Sequence, residues 1–179
     1  MPADDEDMKQ LILEAIEEYP GLHFRGVARE LDTSTSLARY HLDQLIDEEK
    51  IRSEEVGGYV RYFPTEEFDE LSDEGREKLN VLRQEKPLEI VLAILQFGSM
   101  RHKELHEIVP GSKGTLTYHL NKLIDADIVR RVRRGEDKGF HLVDEDETRR
   151  LAARYRPESG MLDEVHDMWE DLFGGHRDG

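Results

Sequence analysis

Lys113, Thr115, Thr117, Tyr118, Asn121 and Lys122 fall within ten residues of one another, and their types suit hydrogen bonding rather than covalent chemistry. On a helix turning by about 100° per residue, Leu116, Leu120, Leu123 and Ile124 face one way. Thr115, Tyr118, Asn121 and Lys122 then face the other, flanked by Lys113 and Thr117. An amide such as Asn121 matches the paired donor and acceptor of an adenine edge in the major groove. Tyr118 or Thr117 can touch a thymine methyl or a phosphate, and Lys113 near the helix start can hold a phosphate with the backbone amides there. Arg130, Arg131, Arg133, Arg134 and Lys138 follow, with Arg131 and Arg133 on one face of a strand by alternation. No nucleophile with a base and an orienting partner can be assembled, and no glycine-rich phosphate loop occurs, so the reading is of a protein that is not an enzyme and needs no cofactor.

The elements that must position these residues occur twice. Tyr118-His119-Leu120-Asn121-Lys122-Leu123-Ile124-Asp125 echoes Tyr40-His41-Leu42-Asp43-Gln44-Leu45-Ile46-Asp47 at an offset of 78 residues. The offset also aligns Ala15-Ile16 with Ala93-Ile94, Ser34 with Ser112, Arg52 with Arg130 and Gly57 with Gly135. A unit of roughly 60–70 residues is therefore used twice. In the first copy a stripe from Met8 to Tyr19 predicts a helix ended by Pro20-Gly21, after a frayed acidic start over residues 2–7. Leu22-His23-Phe24 reads as extended. A helix burying Val27, Ala28 and Leu31 follows, then the turn Asp32-Thr33-Ser34, then a helix to about Glu49. Ile51–Val56, Gly57-Gly58 and Tyr59–Phe63 predict a hairpin. In the second copy Pro87 opens a helix with the stripe Leu88, Val91, Leu92 and Leu95, and Lys103–Val109, the helix to about Asp127 and a hairpin over 129–143 complete the set.

Helix, helix, turn, helix and hairpin make a winged helix-turn-helix. The expected fold class is mainly α with small β wings (α+β): two tandem winged helix-turn-helix domains plus a C-terminal helix. The boundaries expected are 1–69 for the first domain, 70–86 for a linker helix capped by Ser72-Asp73, 87–156 for the second domain, and 157–179 for a C-terminal amphipathic helix. Another helix is expected near Glu145–Tyr155. The tail presents Met161, Leu162, Val165, Met168, Trp169, Leu172 and Phe173 on one wide face, which must pack on this chain or on a second copy.

Charge separates the two copies. The chain carries 25 Lys and Arg against 41 Asp and Glu, for a net −16, which by itself disfavours nucleic acid. Yet residues 99–156 hold 13 basic and 10 acidic side chains, while residues 1–98 hold 11 and 24. Only the second copy offers phosphates a favourable local field. The first wing sets Glu54 and Glu55 beside Arg52 and Arg61 and would repel them. The acidity fits either a salty cytoplasm or genome base composition. Cysteine is absent, which removes disulfides and thiolate chemistry. The longest apolar run, Ile90–Leu95, is far too short to span a membrane, and the acidic start is unlike a signal peptide, so a cytoplasmic protein is expected.

Tyr-His-Leu-x-x-Leu inside a Ser/Thr-rich helix start, followed by a hairpin, resembles archaeal winged-helix transcriptional regulators and is broadly similar to the ArsR and MarR-like groups. The resemblance covers roughly 8–64 and 87–143. It implies a third helix that reads double-stranded DNA, and the chain is expected to act as a homodimer. In the first copy it marks Ser36, Arg39 and Tyr40 as DNA contacts, although Leu37, Asp43 and Asp47 depart from the usual outward set. A rival class exists: tandem winged helices also serve as protein-binding scaffolds in chromosome segregation and endosomal sorting, and the acidic first domain is a possible surface for a protein partner. Other features have plainer readings. His41 and His119 are expected at the edge of the core as hydrogen-bonded imidazoles. His102 and His106, four apart, have the spacing of a metal pair but lack a third ligand, so no metal is assigned. The wing arginines could be a solvated strand edge.

Overall fold

The computed structural model describes residues 4–56, 58–154, 157, 158 and 160–174. The expected Gly57 of the first turn, Tyr155 at a helix end and residues 2 and 3 of the acidic start lie outside the described residues. Among the described residues, the fold is mainly helical with two small antiparallel two-stranded sheets. The chain divides into two units, Met1–Asn80 with Glu158–Gly160, and Val81–Pro157 with Met161–Gly179. Among the described residues, no helix is long and apolar enough to cross a membrane.

The first unit begins with α1 (Asp5–Glu18), α2 (Phe24–Glu30) and α3 (Thr35–Asp47). Residues 5–7 are not frayed: the Asp4 carboxylate accepts from the Asp5 amide at 2.8 Å, and three acids sit in the first turn, where the helix dipole favours them. Phe24, expected in an extended piece, instead starts α2, because the His23 ring accepts from the Gly26 amide and caps the helix. Leu22 and His23 stay extended, and Leu22 bridges to Tyr62. Strands β1 (Ile51–Val56) and β2 (Tyr59–Pro64) pair from Ile51↔Pro64 to Val56↔Tyr59. Ile12, Ile16, Leu22, Val27, Ala38, Leu42, Leu45 and Ile51 form the core.

Two further helices, α4 (Thr65–Glu70) and α5 (Asp73–Leu82), follow. The first has no counterpart among the sequence expectations, since Thr65–Glu70 has only Phe68 as a large apolar residue. The second falls where a linker helix is expected, and it packs on the first unit's wing: Arg76 donates to Glu54 at 2.6 Å, to the Phe68 and Leu71 carbonyls and to Asp73, and lies over the Phe68 ring. Leu79 is fully buried. Arg61, expected beside the wing glutamates, is also buried, donating to Asn80 Oδ1 at 2.6 Å and to the Gly21 carbonyl at 2.8 Å. Glu54 is thus neutralised by Arg76 rather than by Arg61.

The second unit contains α6 (Glu85–Phe97), α7 (His102–Ile108), α8 (Lys113–Asp125), β3 (Val129–Val132), β4 (Gly139–Leu142), α9 (Glu145–Arg154) and α10 (Asp163–Phe173). Met100 bridges Phe140 as Leu22 bridges Tyr62 in the first unit. That bridge needs glycine at 139, where φ is +150° and an added Cβ would sit 2.8 Å from the Met100 carbonyl oxygen. Glu49 and Asp127, also 78 residues apart, both take positive φ after the third helix of their units.

Helix α6 is buried from Pro87 to Leu95, so it must be covered on more than one side. Ile90, Val91, Ile94 and Leu95 join Leu105, Leu116, Leu120, Leu123 and Phe140 in one core. Leu88 and Leu92 pack with Val165 and Trp169 of α10 in another. The Trp169 indole N–H donates to the Ala152 carbonyl at 2.7 Å. Of the two coverings expected for the apolar tail face, this chain supplies one at Val165 and Trp169, while Leu162 remains exposed.

Glu89 is buried in α6, 3.1 Å from Lys86. Burial holds its carboxyl above the usual carboxylate range; Lys86 pulls it down, and Glu85 and Glu164 push it up. The folded state therefore binds this proton more tightly than the unfolded chain. Its contribution to stability is full below the unfolded value and is lost as pH rises through the raised folded value. Glu89→Gln is expected to be more stable than wild type at neutral pH, with the difference closing as pH falls to the ordinary carboxylate range. Urea midpoints at several pH values check this, and a difference that stays constant with pH contradicts it.

Candidate nucleic-acid interface

Helix α8 is fixed from its first turn, where the Ser112 hydroxyl accepts from the Thr115 amide at 3.1 Å. Leu116, Leu120 and Leu123 are buried, and Thr115, Tyr118 and Asn121 are exposed, with Lys113 and Thr117 exposed on the flanks. The Thr117 hydroxyl donates to the Lys113 carbonyl at 2.9 Å, so its 3.0 Å bond to His102 requires the imidazole to donate from Nε2. This sets both the Thr117 rotamer and the His102 tautomer.

Lys122, placed in the outward set by angle, is half-buried. It donates to Gln84 Oε1 at 2.6 Å and lies 5.1 Å from the centre of the Tyr118 ring. The His119 ring meets the same tyrosine edge-on, with centroids 5.0 Å apart. Tyr118 is thus held between two neighbours while 59% exposed. Burial lowers the His119 pKa, helped by Lys122 and Lys86, so this ring is neutral beside the helix face.

The β3–β4 hairpin pairs Val129↔Leu142, Arg130↔His141, Arg131↔Phe140 and Val132↔Gly139. Arg131 lies 5.6 Å from the Phe140 ring centre. Arg131 and Arg133 line one groove of about 510 Å³ together with Asn121 and Thr117. They also line a second, of about 460 Å³, together with Arg101, Lys103 and Lys138. Asp127 lines the first groove, and Glu136 and Asp137 sit in the wing loop near Lys138. Arg134 is exposed in the same loop.

Arg101, His102 and Lys103 escape a reading of spacing alone, which marks His102 only as half of a metal pair. Their signal is a run of three cationic or ionisable side chains at the start of the second helix, inside the basic segment. His102 and His106 serve separate partners, His106 bonding the Gly111 carbonyl at 3.1 Å, and the described residues contain no cluster fit to hold a metal.

None of Arg101, Lys103, Lys113, Arg130, Arg131, Arg133, Arg134 and Lys138 makes an ion pair among the described residues. In the first unit Lys9, Lys50, Arg52, Arg76 and Lys78 are paired with carboxylates, while Arg25, Arg29 and Arg39 make no ion pair among the described residues. Of its expected contacts, Ser36 is exposed at the helix start, Tyr40 is exposed and accepts from Gln44, and Arg39 lies over the Phe24 ring. His41 is fully buried rather than at the core edge, with Nδ1 at 3.2 Å from Gln44 and Nε2 at 3.4 Å from Asp5.

No curated protein matches the chain in sequence. Among solved structures, it is similar to the DIP2311 protein from Corynebacterium diphtheriae at 17% identity, with a TM-score of 0.28. That match covers 77% of this chain and 26% of that one, so the chain spans about a quarter of the other's length. The model of a family described as an N-terminal HTH domain matches residues 6–74. With the α2–turn–α3 arrangement and its hairpin, residues 6–74 form a helix-turn-helix domain.

Proposed function

We propose that the protein is a DNA-binding transcriptional regulator built from two winged helix-turn-helix units in tandem, and that the second unit makes the main duplex contact. The observation that carries this reading is the set of eight cations left without carboxylate partners in the second unit of a chain with a net charge of −16. Carboxylates are abundant enough to pair them, so a unit that keeps them free suits an external polyanion. Helix α8 enters the major groove with Asn121 and Tyr118 at base edges, and Thr117, held by His102, stands beside them. The hairpin lies along the backbone, where Arg131, Arg133, Arg134 and Lys138 meet phosphates. Lys122 acts as a positioning residue for Tyr118. The match of residues 6–74 to a helix-turn-helix family supports the class of function, though it falls on the unit with fewer free cations.

The test is binding of the full chain to genomic duplex fragments across a salt series. A steep fall of affinity with salt is expected, with a logarithmic slope of about −0.9 for each phosphate engaged. Absence of salt-sensitive binding sinks the reading.

A further inference from the structure

The first unit holds a concave site of different chemistry. A groove of about 690 Å³, within the size range of small-molecule sites, opens between α2, α3 and the β1–β2 wing. Its walls combine flat rings with arginines. The Arg39 guanidinium lies 4.3 Å from the Phe24 ring centre and that of Arg25 5.6 Å from it. Tyr59 stacks on His23 with centroids 6.0 Å apart and planes at 24°, and Arg61 lies 5.9 Å from the Tyr59 centre. So Tyr59 is backed by a ring and a cation, yet it is 59% exposed.

Arg25, Arg29 and Arg39 are exposed and make no ion pair among the described residues, even in the more acidic half of the chain. Asp43 is the one carboxylate lining the groove among the described residues. The local field is positive enough to act on His23, whose pKa is lowered by burial and then by Arg61, Arg29 and Arg25.

We propose that this groove binds a nucleotide, its base stacked on the exposed face of Tyr59 and its phosphate held by Arg25, Arg29 and Arg39. Asp43 is placed to accept from an exocyclic amine of the base. Aromatic faces beside arginine planes form the usual platform for an unpaired base. A duplex is a poorer occupant, because the first wing carries Glu55 exposed, which would oppose a continuous phosphate backbone. At the matching positions of the second unit, Thr117 replaces Arg39, Asp137 replaces Tyr59 and Glu107 replaces Arg29, so the feature belongs to the first unit alone. The inference does not rest on the DNA reading of the second unit.

The experiment is calorimetric titration of the full chain with adenosine monophosphate, adenosine and inorganic phosphate, alongside the His23 imidazole proton signals at fixed pH. Adenosine monophosphate is expected to bind and to move the His23 signals. Adenosine and phosphate alone should each bind at least about tenfold more weakly. Tyr59→Ala and Arg39→Ala, both changes at exposed side chains, should each weaken binding by about tenfold or more. The variant Arg131→Ala/Arg133→Ala/Arg134→Ala should bind the nucleotide as wild type does. No binding, binding unaffected by Tyr59→Ala and Arg39→Ala, or nucleotide displaced from the triple variant by duplex DNA would each overturn the proposal.

Discussion

Replacing Arg131, Arg133 and Arg134 together by alanine should lower affinity for duplex DNA by roughly two orders of magnitude near physiological salt, and flatten the salt slope by about 2 to 3 units. The physical reason is counterion release: each phosphate neutralised by a guanidinium frees condensed ions into solution. The three side chains are exposed, and none is paired with a carboxylate among the described residues, so their removal breaks no internal ion pair. Arg131 also covers part of the Phe140 ring, a contact worth only about 0.5–1 kcal/mol at an exposed site. Thermal melts should therefore change little while binding falls steeply. Equal affinity and slope for the variant and wild type would remove the wing from the interface.

The second large effect is on stability. Trp169→Ala should destabilise the second unit by about 3–5 kcal/mol, the range for deleting a large buried aromatic. Trp169 is 3% exposed and packs with Leu88, Leu92 and Val165, and its ring tilts against Phe173 at 5.5 Å. Removing the indole also strips the Ala152 carbonyl of its donor. Small domains are stable by about 5–15 kcal/mol, so this loss is a large fraction of the total. Trp169→Phe, which keeps a ring and loses the N–H, should cost less. Urea unfolding of the three proteins gives the comparison, and a Trp169→Ala loss below about 1 kcal/mol would mean that α10 does not brace α6.

Much of the fold is legible in the sequence because it repeats and because its periods are clean. The offset of 78 aligns the third helices, and the 3.6-residue period alone puts Leu116, Leu120 and Leu123 inside and Thr115, Tyr118 and Asn121 outside. Strand alternation groups Arg131 with Arg133. The misreadings share a physical cause. A period says which way a side chain faces within its own element, not what lies opposite. Lys122 faces outward by angle, yet Gln84, 38 residues earlier, captures it. Arg61 is expected on the first wing beside Glu54 and Glu55, yet Asn80 and the Gly21 carbonyl take it into the interior. Arg101 and Lys103 reach the wing only through the Met100–Phe140 bridge, which no local pattern announces. The nucleotide-sized groove is hidden in the same way, because Phe24, Arg39 and Tyr59 come from three elements and each looks ordinary alone.

The two units invite one direct comparison, since Asn121 and Asp43 occupy matching positions on α8 and α3 and the chain has no native cysteine. Asn121→Cys and Asp43→Cys each introduce a single thiol that can carry a short photo-crosslinker. With duplex DNA bound at low salt, the thiol at position 121 should crosslink to bases in good yield and the one at position 43 should not. Crosslinking at position 43 with none at position 121 would contradict the assignment of duplex reading to the second unit.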